Sequence, residues 1–276
     1  MSFFSVSDLT AGYGKTPVLN KVSFELDEGC LTGILGSNGS GKTTLLKAVC
    51  GILPHRGSCV LDHASLDRLS LKKLAGLCGY IPQRSGITID ISVLDVVLMG
   101  FNPELGLLER PDRSMRHAAR QALAQTGLEG MEDANYLHLS EGQKQLCILA
   151  RTLIAPRKLL LLDEPESALD FRFRARMFEI LRGWLGKEKR LILAALHDPL
   201  LALNYCDRLL ILSEGKIRAI LAPASDPLPK MEQELESIYG RVSLHSCARR
   251  DGCRQLVMLK EPDGQTAQNQ FRNGGT

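Results

Sequence analysis

The sequence has no apolar run long enough to cross a lipid bilayer. A membrane-spanning helix needs about 20 consecutive apolar residues, whereas the apolar runs here are only of strand length, as at 159–162 and 191–196. The N-terminus, MSFFSVSDLT, has neither the basic start nor the long apolar core of a secretory signal. We therefore expect a soluble, intracellular protein.

Strong charge and paired cysteines are also missing. The 276 residues carry a net charge of only +3, which is too small to indicate binding to nucleic acid or to an anionic membrane surface. None of the eight cysteines forms a CxxC pair, so the sequence predicts reduced thiols rather than disulfides or a metal site. The composition, 44% hydrophobic and 24% charged, is typical of a globular protein with a sizeable core.

Four short apolar runs end abruptly in polar or glycine-rich residues. They are LTGILG (31–36), LCGYIPQ (77–83), LLLLDEP (159–165) and LILAALHD (191–198). Because charge does not interrupt them, they are typical of strands buried on both faces. Helical patterns lie between them, at 42–50 and 171–185. Strands that alternate with helices predict an α/β fold with a largely parallel sheet, in which ligands bind beyond the carboxyl ends of the strands.

Three other segments depart from that pattern. The runs FFSVSDLT and VLNKVSFELDEG predict an N-terminal antiparallel β subdomain. Residues 84–154 carry helical patterns and no strong strand signal, which predicts an α-helical subdomain inserted in the main domain (1–225). Residues 226–276 predict a short C-terminal appendage of one helix and one hairpin, with a polar, disordered tail from about 262.

The stretch GSNGSGKTT matches the pattern G-x-x-x-x-G-K-[ST] of a phosphate-binding loop. Its glycines allow successive backbone N–H groups to curve around a phosphate, and the helix that follows directs its positive end at the same anion. We expect the lysine to reach the terminal phosphates and the first threonine to bind Mg²⁺. The predicted nucleotide-binding residues of this loop are Gly36, Ser37, Asn38, Gly39, Ser40, Gly41, Lys42, Thr43 and Thr44.

Polar side chains at the ends of the other predicted strands are further candidates for the site. Asp163 can complete the magnesium shell, and Glu164 can orient or deprotonate the attacking water. His197 ends the last apolar run, where a contact with the γ-phosphate is favoured. Gln83 ends the second run and, being neutral, can sense water and metal. Tyr13 can stack on a purine ring, or it can be an ordinary turn residue.

A polar stretch, LSEGQKQ (139–145), lies shortly before the run that ends in DEP. Ser140 and Gln143 have the spacing of a capping box, and QKQLCILARTL continues as a plausible amphipathic helix. On these residues alone, the stretch does no more than begin a helix.

Together these stretches resemble the nucleotide-binding subunit of ABC transporters. The order matches that family: Walker A (GSNGSGKTT), Q-loop (Gln83), signature (LSEGQ), Walker B (LLLLDEP), D-loop (SALD, with Asp170) and switch histidine (His197). The resemblance covers about residues 3–225. It implies a P-loop NTPase (RecA-like) core and an ATPase that uses ATP and Mg²⁺.

The resemblance also implies a homodimer in which two copies pack head to tail with ATP between them. Ser140 and Gly142 would then touch the γ-phosphate held by the Walker A loop of the second copy, and Gln143 is a further ATP-binding residue that the resemblance implies. Two residues depart from the family pattern. Glu141 replaces the first glycine of LSGGQ, and Glu166 stands where threonine is common. We expect Glu141 to point away from the phosphate, because an acid facing it would repel it, and we expect neither departure to abolish activity.

One ATPase unit without a membrane span looks like the separate ATPase subunit of a bacterial importer. VVLMGFNPELGLLERPD (96–112) and QKQLCILARTL are similar to the iron-siderophore, haem and cobalamin group of metal-chelate importers. The implied partners are integral membrane permease subunits and, indirectly, a substrate-binding protein, with no nucleic acid. The implied location is peripheral, on the cytoplasmic face of the bacterial inner membrane.

Other interpretations stay open at this point. An ABC ATPase of repair or translation usually has tandem cassettes or long coiled-coil insertions, which this chain lacks, and an importer of another substrate class would share the same motifs. A P-loop kinase would need an acceptor pocket. A GTPase would need N-K-x-D, and NKVS at 20–23 lacks the aspartate. A sensing role for 226–276 is disfavoured because the segment is too short for a strong core of its own.

Overall fold

The computed structural model describes residues 2–14, 16–106, 108–186, 189–250 and 252–262. Within these ranges the chain forms three β-sheets and eight α-helices. The strands are β1 (Phe4–Tyr13), β2 (Thr16–Leu26), β3 (Cys30–Leu35), β4 (His55–Leu61), β5 (Ala64–Ser65), β6 (Cys78–Ile81), β7 (Leu159–Asp163), β8 (Leu191–Ala195), β9 (Arg208–Ser213), β10 (Lys216–Leu221), β11 (Val242–Ala248) and β12 (Arg254–Lys260). The helices are α1 (Lys42–Val49), α2 (Leu71–Leu77), α3 (Val93–Leu98), α4 (Arg113–Thr126), α5 (Glu141–Leu153), α6 (Phe171–Leu185), α7 (Pro199–Tyr205) and α8 (Leu228–Tyr239).

A six-stranded sheet forms the centre of the molecule, in the order β10-β9-β3-β8-β7-β6. The four predicted strands, now β3, β6, β7 and β8, pair in parallel, and only β10 runs antiparallel to its neighbour. Along β7, Leu160 and Leu162 enter one hydrophobic core while Leu159 and Leu161 enter the other. Successive side chains of a strand point to opposite faces, so an uninterrupted run of leucine is what a strand covered on both sides requires.

The N-terminal strands form a separate antiparallel sheet in the order β2-β1-β4-β5, which confirms the predicted antiparallel strands. Phe4 and Val6 are buried while Ser5 between them is partly exposed, because this sheet has only one face on the core. The sequence-based interpretation did not assign β4, β5, β9, β10, α2 or α7. The predicted strand at 77–83 is shorter in the structure, where β6 spans only Cys78–Ile81. Leu77 is the last residue of α2, and Pro82 has no N–H to donate to a neighbouring strand.

The chain between Gln83 and Leu159 is helical where it is regular. It carries α3, α4 and α5, and the residues described at 84–106 and 108–154 contain no strand. Both ends of α4 follow the signals read from the sequence. The Asp112 carboxylate accepts the backbone N–H of Met115 across 2.8 Å, and Gly127 ends the helix at φ +81°, a left-handed conformation that glycine adopts without strain.

The C-terminal helix α8 and the hairpin of β11 and β12 pack onto the central domain. Buried apolar residues from all three elements belong to the same hydrophobic core as the six-stranded sheet; they are Met231, Leu235, Val242, Leu244 and Leu256. The amide of Asn204, on α7, donates to the carbonyl of Leu256 (2.9 Å) and accepts its N–H (2.8 Å). The predicted disordered tail, from 263 onward, lies outside the described residues.

The helices described in these ranges are all too short or too polar to span a bilayer.

Candidate active site

Three glycines shape the loop between β3 and α1. Gly39 and Gly41 have φ of +80° and +109°, values that side chains rarely tolerate. A Cβ on Gly36 would lie 2.3 Å from the carbonyl oxygen of Leu212 and 2.5 Å from the hydroxyl of Ser40. Glycine is therefore required at Gly36 for space, at Gly39 for its backbone conformation and at Gly41 for both, and the N-terminus of α1 follows the loop.

The side chain of Lys42 folds back over this loop. Its Nζ donates to the carbonyls of Gly36 (2.7 Å) and Ser37 (3.3 Å), and only 7% of the residue is exposed. Burial lowers the pKa of the Lys42 ammonium, and the carboxylates of Glu164 and Asp163 oppose that shift. The Lys42 ammonium therefore donates to two neutral carbonyl oxygens, and an anionic phosphate oxygen can replace them as the acceptor.

Asp163, at the end of β7, joins the loop to the sheet. Its Oδ1 accepts the hydroxyl proton of Thr43 across 2.8 Å, and its Oδ2 accepts that of Tyr80 across 3.1 Å. Burial and the adjacent Asp163 raise the pKa of the Tyr80 phenol, so this hydroxyl remains a donor. A hydroxyl and a carboxylate in direct contact are the hard oxygen ligands that Mg²⁺ prefers.

The loop also contains a buried polar atom without a partner. The Oγ of Ser40 is inaccessible to solvent and makes no hydrogen bond within the described structure, which is rare for a buried hydroxyl. It lies in a loop whose glycines leave space for a phosphate. The Ser40 hydroxyl, the glycine cradle and the Thr43–Asp163 pair therefore fit a magnesium–nucleotide complex.

Glu164 follows Asp163 in an unusual backbone conformation. Its φ is +49°, uncommon outside glycine, and its N–H donates to the carbonyl of Ala195 on the neighbouring strand (3.0 Å). Its carboxylate Oε2 accepts the amide N–H of Gln83 across 2.7 Å. The structure thus joins two predicted site residues that lie 81 positions apart.

Tyr13 reaches the same cleft from the other sheet. Its side chain, at the end of β1, is 55% exposed and lines a cleft of about 290 Å³ together with residues 38–44 and Glu164. A half-exposed ring beside a phosphate loop is well placed for a planar base.

His197 follows β8 and lies on a second cleft, of about 510 Å³, that Glu164 also borders. Its backbone N–H donates to Oε1 of Glu166 across 2.8 Å. Glu166 is only 2% exposed. The sequence-based interpretation noted Glu166 as a departure from the family pattern but gave it no role.

The predicted capping box at Ser140 is confirmed. The hydroxyl of Ser140 accepts the N–H of Gln143 (3.3 Å), and the Gln143 side chain accepts the N–H of Ser140 (2.9 Å). The Glu141 side chain is 75% exposed and pairs with Lys144 across 2.8 Å. At Gly142, a Cβ would lie 3.2 Å from the carbonyl oxygen of Ala168.

Asp170 caps α6 by accepting the N–H of Phe173 across 3.0 Å. Ser140, Gly142, Gln143 and Asp170 are absent from the described residues that line the two clefts at Glu164. The predicted residues therefore fall into two groups, one around Lys42 and Glu164 and one at the starts of α5 and α6.

A family model described as ABC transporter matches residues 19–167. The matched span runs from β2 past Glu164, and so includes the phosphate loop, the start of α5 and the end of β7. This chain belongs to the ABC transporter family. The resemblance inferred from the motif order is thereby confirmed, and with it the prediction of an ABC-type ATPase.

Two relatives of this ABC protein cover most of both chains. A probable iron chelatin transport ATP-binding protein of Helicobacter pylori is 35% identical over 236 residues, which are 85% of this chain and 91% of the relative. The hemin import ATP-binding protein HmuV of Bordetella pertussis is 34% identical over 247 residues, which are 86% of this chain and 93% of the relative. Both names fall within the metal-chelate group that the sequence resembles.

The fold of this ABC protein matches solved structures. An ABC transporter of metal-chelate type in an inward-facing conformation aligns with a TM-score of 0.78 at 24% identity, covering 95% of this chain and 99% of that chain. The predicted α/β fold, a P-loop NTPase core, is confirmed.

Proposed function

We propose that this ABC protein hydrolyses ATP as one of two identical subunits that close on two nucleotides, and that it powers the import of a metal chelate through a separate membrane permease. The observation that carries the proposal is the separation of the site into two groups. Lys42 and Glu164 line one cleft, and Asp163 adjoins it through its hydrogen bond to Thr43, whereas Ser140 and Gly142 line neither cleft at Glu164. A second copy, packed head to tail, brings its Ser140 to the nucleotide held by Lys42.

Lys42, Ser40 and the amides of the loop bind the β- and γ-phosphates. Lys42 exchanges the carbonyls of Gly36 and Ser37 for phosphate oxygens, and the Ser40 hydroxyl gains the partner that it lacks. Thr43 and Asp163 hold Mg²⁺, with Gln83 as a further ligand. When bound, Mg²⁺ neutralises phosphate charge that develops during transfer. Tyr13 stacks on the adenine ring.

Glu164 acts on the attacking water. Its carboxylate accepts a proton of that water while the water oxygen bonds to the γ-phosphorus and the bond to the β–γ bridging oxygen breaks, which leaves ADP and inorganic phosphate. Gln83 holds the carboxylate at the Oε2 end. His197, on the adjoining cleft, contacts the γ-phosphate oxygens, and Ser140 of the second copy contacts them from the opposite side.

The permease, a substrate-binding protein and a peripheral position on the cytoplasmic face of the inner membrane complete the proposal. The similarity to iron chelatin and hemin transport proteins supports a metal chelate as the cargo. Residues 84–154, attached next to Gln83, would pass the closing motion to the permease. Asp170 lies at the start of α6, at the surface assigned to the second copy.

Dimer formation tests the proposal directly. Light scattering of the Glu164→Gln variant with saturating Mg·ATP should give a dimer, and the same variant without nucleotide should be largely monomeric. Ser140→Arg in that background should abolish the dimer, whereas Ser114→Arg, an exposed serine on α4, should not. A chain that stays monomeric with Mg·ATP would exclude the composite site. Purification with a permease, followed by uptake of ferric siderophore, hemin or cobalamin into vesicles, then identifies the cargo.

A further inference from the structure

Glu166 is a buried acid that the proposed cycle does not use. It lies two residues beyond Glu164, on the loop after β7, and its side chain turns toward the end of the adjacent strand β8. There its Oε1 accepts the backbone N–H of His197 across 2.8 Å, and the N–H of Asp198 also interacts with the carboxyl group. The strand β8 has ended at Ala195, so the Glu166 carboxyl takes the place of a strand partner for these peptides.

The other oxygen of Glu166 lacks a partner. Oε2 is inaccessible to solvent and makes no hydrogen bond in the described part of the chain. Burial raises the pKa of Glu166, hydrogen bonds from His197 and Asp198 lower it, and the charge of Glu164 raises it further.

The loop that Glu166 holds carries a group assigned to the nucleotide. The side chain of His197 is exposed on the cleft that Glu164 borders, while its backbone N–H donates to Glu166. The next residue, Asp198, caps α7 by accepting the N–H of Leu200 (2.8 Å). Arg174 links that cap to the loop after β7, through Asp198 (3.7 Å) and the carbonyl of Leu169 (2.8 Å). The loops after β7 and β8 are therefore joined at two points.

We propose that Glu166 is a positioning residue that fixes the peptide of His197, so that the imidazole faces the γ-phosphate when Glu164 acts on water. The inference rests on the proposed function, because it assigns His197 to the nucleotide. Glu166 is only 2% exposed, so its effect passes through His197. A threonine at this position, common in the family, ends two carbons closer to the backbone and would not span the same gap.

Turnover by the full-length chain tests this role. Glu166→Ala should lower kcat for ATP hydrolysis about tenfold or more, since small displacements of a contact group have large effects on rate, while the Kd for a non-hydrolysable Mg·ATP analogue should change little. Glu166→Gln should keep near-normal kcat, because its amide oxygen can accept the same N–H. Glu129→Ala, at an exposed position outside both clefts, is the matched control. Thermal unfolding establishes that each variant is folded, and Glu166→Thr substitutes for the alanine variant if that one is not.

Combination with His197→Ala decides between a positioning role and a general loss of structure. If Glu166 acts through His197, the double variant should have the kcat of His197→Ala alone. Two results would overturn the inference and leave the proposed function intact. In the first, the loss of kcat in the double variant equals the product of the two single losses. In the second, Glu166→Ala and Glu166→Thr both keep wild-type kcat while His197→Ala is inactive. Wild-type turnover in His197→Ala would instead remove His197 from the site, and both proposals would fail on that residue.

Discussion

The hydroxyl of Thr43 donates a hydrogen bond to the carboxylate of Asp163 across 2.8 Å, although 120 positions separate the two residues in the chain. The bond joins the first turn of α1 to the end of β7, two strands away from β3 in the central sheet. It places the Thr43 hydroxyl next to the Asp163 carboxylate, and these two groups are the proposed ligands of Mg²⁺.

Asp163→Asn should remove the dependence of ATP binding on Mg²⁺. The amide retains the shape of the side chain but not the negative charge that attracts a divalent cation. We expect Mg²⁺ to tighten ATP binding in the wild-type chain and to have little effect in the variant, as measured by fluorescence titration with and without EDTA. Asp133→Asn, at an exposed position, controls for net charge. Equal Mg²⁺ effects in the wild type and the Asp163 variant would remove Asp163 from the metal site.

Glu164→Gln should separate nucleotide binding from hydrolysis. The amide cannot accept a proton from water, and loss of a general base typically costs about 10²- to 10⁴-fold in rate. We expect kcat to fall by that order while the Kd for Mg·ATP stays near the wild-type value, with Glu129→Gln as an exposed control. Unchanged turnover would show that another group activates the water.

Tyr13→Ala should weaken nucleotide binding without changing kcat at saturation. Stacking of a base on an aromatic ring contributes about 1–3 kcal/mol, which corresponds to roughly 5- to 150-fold in Kd. Tyr13→Phe should restore the affinity, because the ring stacks and the hydroxyl does not. Equal affinity of the alanine and wild-type chains for ATP would make Tyr13 the ordinary turn residue of the alternative interpretation.

Glu141→Gly, which restores the glycine usual in the family, should leave turnover nearly unchanged. The Glu141 side chain is 75% exposed and pairs with Lys144, so it is directed away from the N-terminal amides of α5. Removal of an acid from the first turn of a helix costs about 0.3–1 kcal/mol, so a slightly lower melting temperature is expected. Glu141→Gln separates the loss of charge from the added flexibility of glycine. A clear gain in ATP affinity at the closed dimer would mean that Glu141 faces the phosphate after all.

Signals confined to a few consecutive residues were sufficient where structure is local. The capping box at Ser140 and both ends of α4 follow from side chains that bond to backbone groups a few positions away. The convergence of Asp163, Glu164 and His197 follows from a general rule, since the carboxyl ends of parallel strands meet at one edge of the sheet.

Features that depend on how distant segments meet were not available from the sequence. The approach of Tyr13 to the phosphate loop requires the relative placement of two sheets. The bond from His197 to Glu166 requires two loops of particular length and direction. Other elements were missed for different reasons. β5, α2 and α7 are short, and short elements carry too few positions to establish a period. β4 begins with polar, mostly exposed residues, and β9 and β10 were not assigned although β9 has the buried apolar pattern of the predicted strands.

Two hydrogen bonds between Asn204 and Leu256 connect the C-terminal hairpin to the central domain. Asn204 belongs to α7, which begins two residues after His197, and Leu256 belongs to the C-terminal hairpin. Displacement of that hairpin would therefore break two hydrogen bonds to α7, the helix that follows His197, so the C-terminal segment is anchored to the edge of the sheet where the nucleotide site lies.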